Sequence, residues 1–122
     1  MNAWQTGSSQ IDTLIEEGKL TRLQGADAGV AGLIARARQQ LASANSLVET
    51  DPATAYVVAY DAAKHAAMAV LAEQNLRATA DGGHVAIEKA LVAQFQGVFD
   101  GFGRLRRRRN ELGLDRGILT VY

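Results

Sequence analysis

Apolar residues recur along this chain at three- and four-residue intervals, the spacing that places them on one face of an α-helix. The pattern predicts a first helix over about Ser9–Glu17, with Gly18 placed to end it. A second helix is predicted from Asp27, as its N-cap, to about Val48. Six residues at helical spacing form its predicted buried stripe: Val30, Leu33, Ile34, Ala37, Leu41 and Ala44.

The third predicted helix has the best-marked beginning. In "TDPATAY", Asp51 stands at the N-cap and Pro52 at the first helical position, where its missing N–H costs no hydrogen bond. The helix is predicted to continue to about Asn75, and it is apolar on almost every side, which is typical of a central helix. Its polar exceptions are spaced so that they share one face: Asp61, Lys64 and His65.

The last helical region is predicted to begin near His84 and to follow a strict apolar register. The register passes through Val85 or Glu88, Leu91, Phe95, Val98, Phe102 and Leu105, and continues to Arg109 and Leu112. Three glycines interrupt it, at positions 97, 101 and 103, and each costs about 1 kcal/mol relative to alanine inside a helix. They predict a kink, a break or a close approach of another backbone.

These elements predict an all-α fold, an antiparallel up-and-down bundle of four helices, or five if the last region splits. The chain of 122 residues is predicted to be a single domain, residues 1–122, with irregular tails at 1–8 and 113–122. Alternating strand patterns are nearly absent, and only the tail "GILTVY" resembles a strand.

Composition narrows the chemistry. The absence of cysteine excludes disulfides and cysteine-based metal or redox sites, and two histidines are too few for a usual zinc site. We therefore expect no metal and no cofactor. The first residues lack the basic and apolar regions of a signal peptide, and no apolar stretch is long enough to span a membrane. A cytoplasmic protein without membrane contact is expected.

Charge is balanced overall but not locally. The formal net charge is zero, yet five arginines lie within "RLRRRRNELG". On a helix, Arg104, Arg107 and Arg108 form one side, which is typical of a solvated basic face. Arg109 falls on the apolar stripe, where an unpaired charge is costly. Arg109 is therefore predicted to lie in an ion pair, an interface or a site, with Asp61 and Glu111 as candidate partners.

Three stretches give the chain a family resemblance: "DPATAYVVAYDAAKHAAMAVL", "GGHVAIEKAL" and "RLRRRRNEL". In their arrangement they resemble HEPN domains, small helical bundles of prokaryotic defence and toxin–antitoxin systems. The resemblance implies a homodimer in which an Arg, followed by a polar residue and then a His, cleaves RNA without metal. Arg109 and Asn110 match the first half of that motif, while Leu114, Asp115 and Arg116 occupy the window of the His.

Three functions remain open on these residues. The first is a module that binds RNA, or a cognate toxin or antitoxin, through Arg104, Arg106, Arg109 and Asn110 at a dimer cleft, without catalysis. The second is a structural or protein-binding helical module, antitoxin-like, whose arginines pair with acidic residues. The third is a metal-independent endoribonuclease, for which Arg109, Asn110 and His65 are the candidate catalytic residues. For His84, at a helix start, the sequence favours a capping or surface position.

Overall fold

The computed structural model of the protein describes residues 5–23, 29–95, 97 and 101–115. Over these residues the protein is all-α in class, with one small two-stranded sheet. Its elements in chain order are α1 (Ser8–Glu16), β1 (Leu20–Arg22), α2 (Val30–Leu47), α3 (Pro52–Ala72), β2 (Leu76–Ala78), α4 (Gly83–Phe95) and α5 (Phe102–Asp115). Within this part of the chain, no helix is both long and apolar enough to cross a membrane.

The start of α3 follows the predicted capping chemistry. The Asp51 side chain accepts a 3.2 Å hydrogen bond from the backbone N–H of Thr54 and a 2.7 Å bond from its hydroxyl, and Pro52 opens the helix. The helix ends at Ala72, three residues before the predicted end. Asn75 then adopts the left-handed conformation, with φ of 60°, and directs the chain into β2.

The two strands were not predicted. They pair antiparallel, with Leu20 opposite Ala78 and Arg22 opposite Leu76, and the side chains of Leu20 and Leu76 are buried in the core. The Lys19 ammonium lies 2.6 Å from Asp81 Oδ2, so this pair joins the strand region to the loop before α4. The two short strands are an addition to the predicted all-α class, because the sequence has almost no alternating strand pattern. The predicted strand "GILTVY" lies outside the described residues.

The core forms where α3, α4, α1 and the sheet meet. Leu71, Leu91 and Leu20 are its most deeply buried large side chains, and Phe102 of α5 packs against the same cluster. Helix α3 contacts α2, α4, α5 and β2, so its predicted central position is confirmed.

Helix α2 packs chiefly against α3 and buries only a narrow stripe. Ala37 and Ala44 are buried, whereas Leu41, which was predicted to be buried, keeps 52% of its surface exposed. That prediction was wrong because α2 has one main neighbour, α3, and a single neighbour covers a narrower face of the helix than the apolar pattern spans. The predicted N-cap, Asp27, lies outside the described residues.

The last helical region splits into two helices, α4 and α5, so five helices are present among the described residues. The split ends the continuous register: Leu105 is 45% exposed, while Phe102 and Gly103 are buried. Among the described side chains of α5, Phe102 is the one buried hydrophobic residue. The predicted tail boundaries also shift, since Ser8 begins α1 and residues 113–115 continue α5.

Candidate arginine site at the junction of three helices

Helix α5 carries its arginines on two different faces. Arg104, Arg107 and Arg108, the outer arginine face, are exposed to solvent, as predicted. Arg108 Nη1 lies 3.3 Å from Glu111 Oε1, and both side chains remain more than half exposed. Such an exposed pair contributes little to stability. The outer arginine face is therefore available to a partner.

The other two arginines, Arg106 and Arg109, point towards neighbouring helices. Arg106 Nη2 lies 3.4 Å from Glu88 Oε1 of α4, and Arg109 Nε lies 3.5 Å from Asp61 Oδ1 of α3. The four side chains are between 21% and 31% exposed. Because Phe102, Arg106 and Arg109 are spaced by four and three residues, they share the inward face of α5.

Gly103 permits the close approach of α5 to α4. A Cβ atom at this position would collide with the Glu88 carboxylate, the same group that pairs with Arg106. The glycine, which the sequence associated with a break or a close approach, is therefore explained by the space that Glu88 occupies.

A tyrosine and a histidine complete the inward side of the site. The Tyr60 hydroxyl and His84 Nδ1 lie 3.3 Å apart, and the two rings stack with centroids 5.8 Å apart. Phe102 packs on Tyr60 at a centroid distance of 5.4 Å. We call Tyr60, Asp61, His84, Glu88, Arg106 and Arg109 the inner cluster.

Burial shifts the pKa values of both ring groups towards their neutral forms. Burial raises the pKa of Tyr60 to about 12, opposed by the charges of Arg106 and Arg109. Burial lowers the pKa of His84 below 6.5, and the positive charges of Lys64 and Arg109 lower it further. Both shifts therefore favour the uncharged form of the ring, the phenol of Tyr60 and the neutral imidazole of His84.

This arrangement contains groups for two kinds of chemistry. Guanidinium groups bind phosphate oxygens, and a neutral imidazole accepts or passes a proton near neutral pH. The described residues contain no group of three or more His, Asp or Glu side chains that could hold a metal ion. A groove of about 490 Å³ between α1 and α4 has Glu88 in its wall.

The structure brings together some predicted site residues and separates others. Arg109 meets Asp61, whereas Glu111 contacts Arg108 instead. Asn110 is exposed, on the solvent side of α5. His65 Nδ1 lies 2.9 Å from Gln40 Oε1 of α2 and 2.9 Å from the carbonyl oxygen of Asp61, so its contacts tie α2 to α3.

Sequence reasoning missed half of the inner cluster. Nothing in the sequence distinguished Tyr60 from the other apolar positions of α3, and His84 was expected to be a cap or surface group. Their contact joins residues 24 apart in sequence, so no local pattern shows it. Glu88 carried a usable signal: like Arg109, it fell on the apolar stripe, and two opposite charges on one buried stripe suggest a pair.

Comparison of the chain with family models, with curated proteins and with solved structures found no match. The chemistry of the site therefore rests on its own residues and geometry.

Proposed function

We propose that this chain is a HEPN-like antiparallel helical bundle of a toxin–antitoxin or defence-type system, and that it binds RNA through α5 without cleaving it. The observation that carries the proposal is the outer arginine face. Three of the five arginines of α5 lie on this face, and Glu111 is the single acidic residue among the described side chains of the helix, in a chain whose formal net charge is zero. Positive charge concentrated on one exposed helix attracts a polyanion locally.

The outer arginine face supports phosphate contacts in its geometry as well as its charge. Arg104 and Arg107 are exposed one helical turn apart, and neither has an ion pair within the described part of the chain. Asn110 is exposed on the next turn of the same helix. Two free guanidinium groups one turn apart can contact successive phosphates of a single strand.

We propose further that two copies of the chain form a homodimer and that α5 lines the cleft between them. Binding without cleavage is favoured because the family's catalytic window after Arg109 lacks a His, and because His65 is held between α2 and α3. A cognate toxin or antitoxin is the expected protein partner.

The test is RNA affinity measured against salt concentration for the double variant Arg104→Ala/Arg107→Ala. We expect weaker binding, with the slope of log affinity against log salt reduced by about 1.4 for two lost contacts on a single strand. The matched control is Arg36→Ala/Arg38→Ala, which removes the same charge from exposed positions on α2. Equal effects of the two double variants would contradict a specific role for α5.

One observation favours a second function, binding of an acidic protein surface. Leu105 is 45% exposed among the arginines, and arginine combined with apolar surface is typical of protein interfaces. Sedimentation of the same variants separates the two functions. If Arg104→Ala/Arg107→Ala dissociates the dimer and leaves RNA affinity unchanged, α5 is a protein interface.

A further inference from the structure

His84 lies where α3, α4 and α5 meet. It is the second residue of α4, and its Nδ1 lies 3.3 Å from the hydroxyl of Tyr60 on α3. Phe102, the buried aromatic residue of α5, packs on the ring of the same tyrosine. The imidazole is itself partly buried. A change in the charge of His84 therefore acts directly on the contact between α5 and the rest of the protein.

Positive charge surrounds the His84 imidazole while α5 is docked. Lys64 of α3 and both Arg106 and Arg109 of α5 face it. Among the described residues, Asp61 of α3 is the carboxylate that opposes them. The N-terminus of α4 adds the positive end of its helix dipole. Burial and these positive charges lower the pKa of the imidazole, so the docked helix disfavours its protonated form.

Release of α5 reverses this balance. The two arginines leave with the helix, whereas the carboxylates that they pair with, Asp61 and Glu88, stay behind on α3 and α4. Glu88 follows His84 by four residues, the spacing at which side chains on a helix are neighbours. Water also reaches the imidazole, because Phe102 no longer packs on Tyr60. The imidazole therefore binds a proton more tightly when α5 is released, and acidification favours release.

We propose that His84 is a pH-sensitive switch for the docking of α5: the helix stays docked while the imidazole is neutral and is released when the imidazole takes up a proton. Arg106 and Arg109 pair with the neighbouring helices and also face His84. A positive charge on the imidazole therefore repels α5 at the contacts that hold it. This switch goes beyond the proposed function, since it operates whether α5 binds RNA or a protein.

The experiment measures amide hydrogen exchange along α5 between about pH 7.5 and about pH 5.5, on either side of the ordinary histidine pKa. The protection factor, which is the intrinsic rate divided by the observed rate at the same pH, reports how often the helix opens. Since release takes up one proton, protection in wild-type α5 should fall by up to about tenfold for each pH unit. His84→Gln should abolish this fall. The matched control His65→Gln should keep it, because His65 lies between α2 and α3.

A second pair of variants covers the case in which His84→Gln releases α5 at every pH. Lys64→Gln removes a cation that faces the imidazole and leaves both ion pairs of α5 in place, so the loss of protection should begin at a higher pH. Its control, Lys89→Gln, removes an exposed cation of α4 that is not among the described charges acting on the imidazole. This control should leave the pH dependence unchanged.

The exchange data distinguish the switch from a merely structural histidine. Protection in wild-type α5 that does not change with pH overturns the inference. A fall confined to α3 does so as well, because the imidazole would then be charged only when the whole protein unfolds. An equal fall in the wild type and His84→Gln assigns the effect to another group. If His84→Gln leaves α5 unprotected throughout, an unmoved pH dependence in Lys64→Gln overturns the inference.

Discussion

Raising the pH probes the inner cluster through Tyr60. Its side chain is 4% exposed, and burial raises its pKa from 10.0 to about 12. Since the folded pKa exceeds the unfolded one, the unfolded chain loses this proton first. The contribution of the neutral Tyr60 side chain to the free energy of unfolding is fully present below pH 10 and is lost as the pH rises from 10 towards 12. One pKa unit corresponds to about 1.36 kcal/mol, so the loss is on the order of 1 kcal/mol at about pH 11 and on the order of 3 kcal/mol above the folded pKa.

The assay is urea unfolding of the wild type and Tyr60→Phe at about pH 9 and about pH 11, together with a titration of tyrosinate absorbance. At the lower pH, Tyr60→Phe should be less stable by about 0.5–1.5 kcal/mol, because it loses the hydroxyl contact with His84. At the higher pH this deficit should shrink by about 1 kcal/mol, since only the wild type has the buried hydroxyl to ionise.

Lysine deprotonation affects both proteins equally and cancels in the difference. The control Tyr56→Phe leaves Tyr60 in place, so a late-titrating tyrosine should persist in it and disappear in Tyr60→Phe. A stability difference that is the same at both pH values would refute the reasoning, because it would mean that the Tyr60 hydroxyl is not held in its neutral form by burial.

Two further variants test the same region. Burial lowers the pKa of His84 below 6.5, so on acidification this histidine takes up a proton in the unfolded chain before it does so in the folded protein. The free energy of unfolding of the wild type should therefore fall as the pH decreases through about 6.5. Unfolding measured from about pH 7.5 to about pH 5 should show a shallower fall for His84→Gln, whereas His65→Gln should keep the fall of the wild type. Identical slopes for wild type and His84→Gln would disprove this. Gly32→Ala, which meets nothing within 4 Å, should stabilise the protein by about 0.5–1 kcal/mol in thermal unfolding. Gly103→Ala should lack this gain, because the new Cβ displaces the Glu88 carboxylate, the end of a flexible side chain, from its contact with Arg106; its stability should lie about 1 kcal/mol below that of Gly32→Ala. Equal effects of the two glycine changes would rule out the contact with Glu88.

The helices could be predicted from the sequence wherever local chemistry determines them. The cap of Asp51 on Thr54 depends on residues three apart, and the start of α3 was therefore correct. The strands could not be found in this way, since Leu20 pairs with Ala78 across a long stretch of chain and three-residue strands carry no period. The prediction that Leu41 is buried was wrong for a related reason, because the sequence pattern shows which face of a helix is apolar but not how many neighbouring helices cover that face.

The sequence predicted the residues of the candidate site on each helix separately, but not how the helices bring them together. Arg109 on an apolar stripe required a partner, and Asp61 was among the carboxylates considered. The position of Arg109 beside Tyr60, His84 and Glu88 depends on the break between α4 and α5. After this break, the residues of α5 that face inward are Phe102, Arg106 and Arg109. The periodic signal of this arrangement in the sequence is limited to the charges of Glu88 and Arg109 on the apolar register.

The single buried hydrophobic residue among the described side chains of α5, Phe102, has a consequence for the order in which the protein opens. Helices with few buried apolar contacts exchange their amide protons through local opening, at a free energy below that of global unfolding. The amides of α5 should therefore exchange with deuterium before those of α3, whose alanines and Leu71 lie in the core. The helix that carries the arginines would then be an independent opening unit, able to leave and rejoin the remaining helices while their hydrogen bonds stay protected.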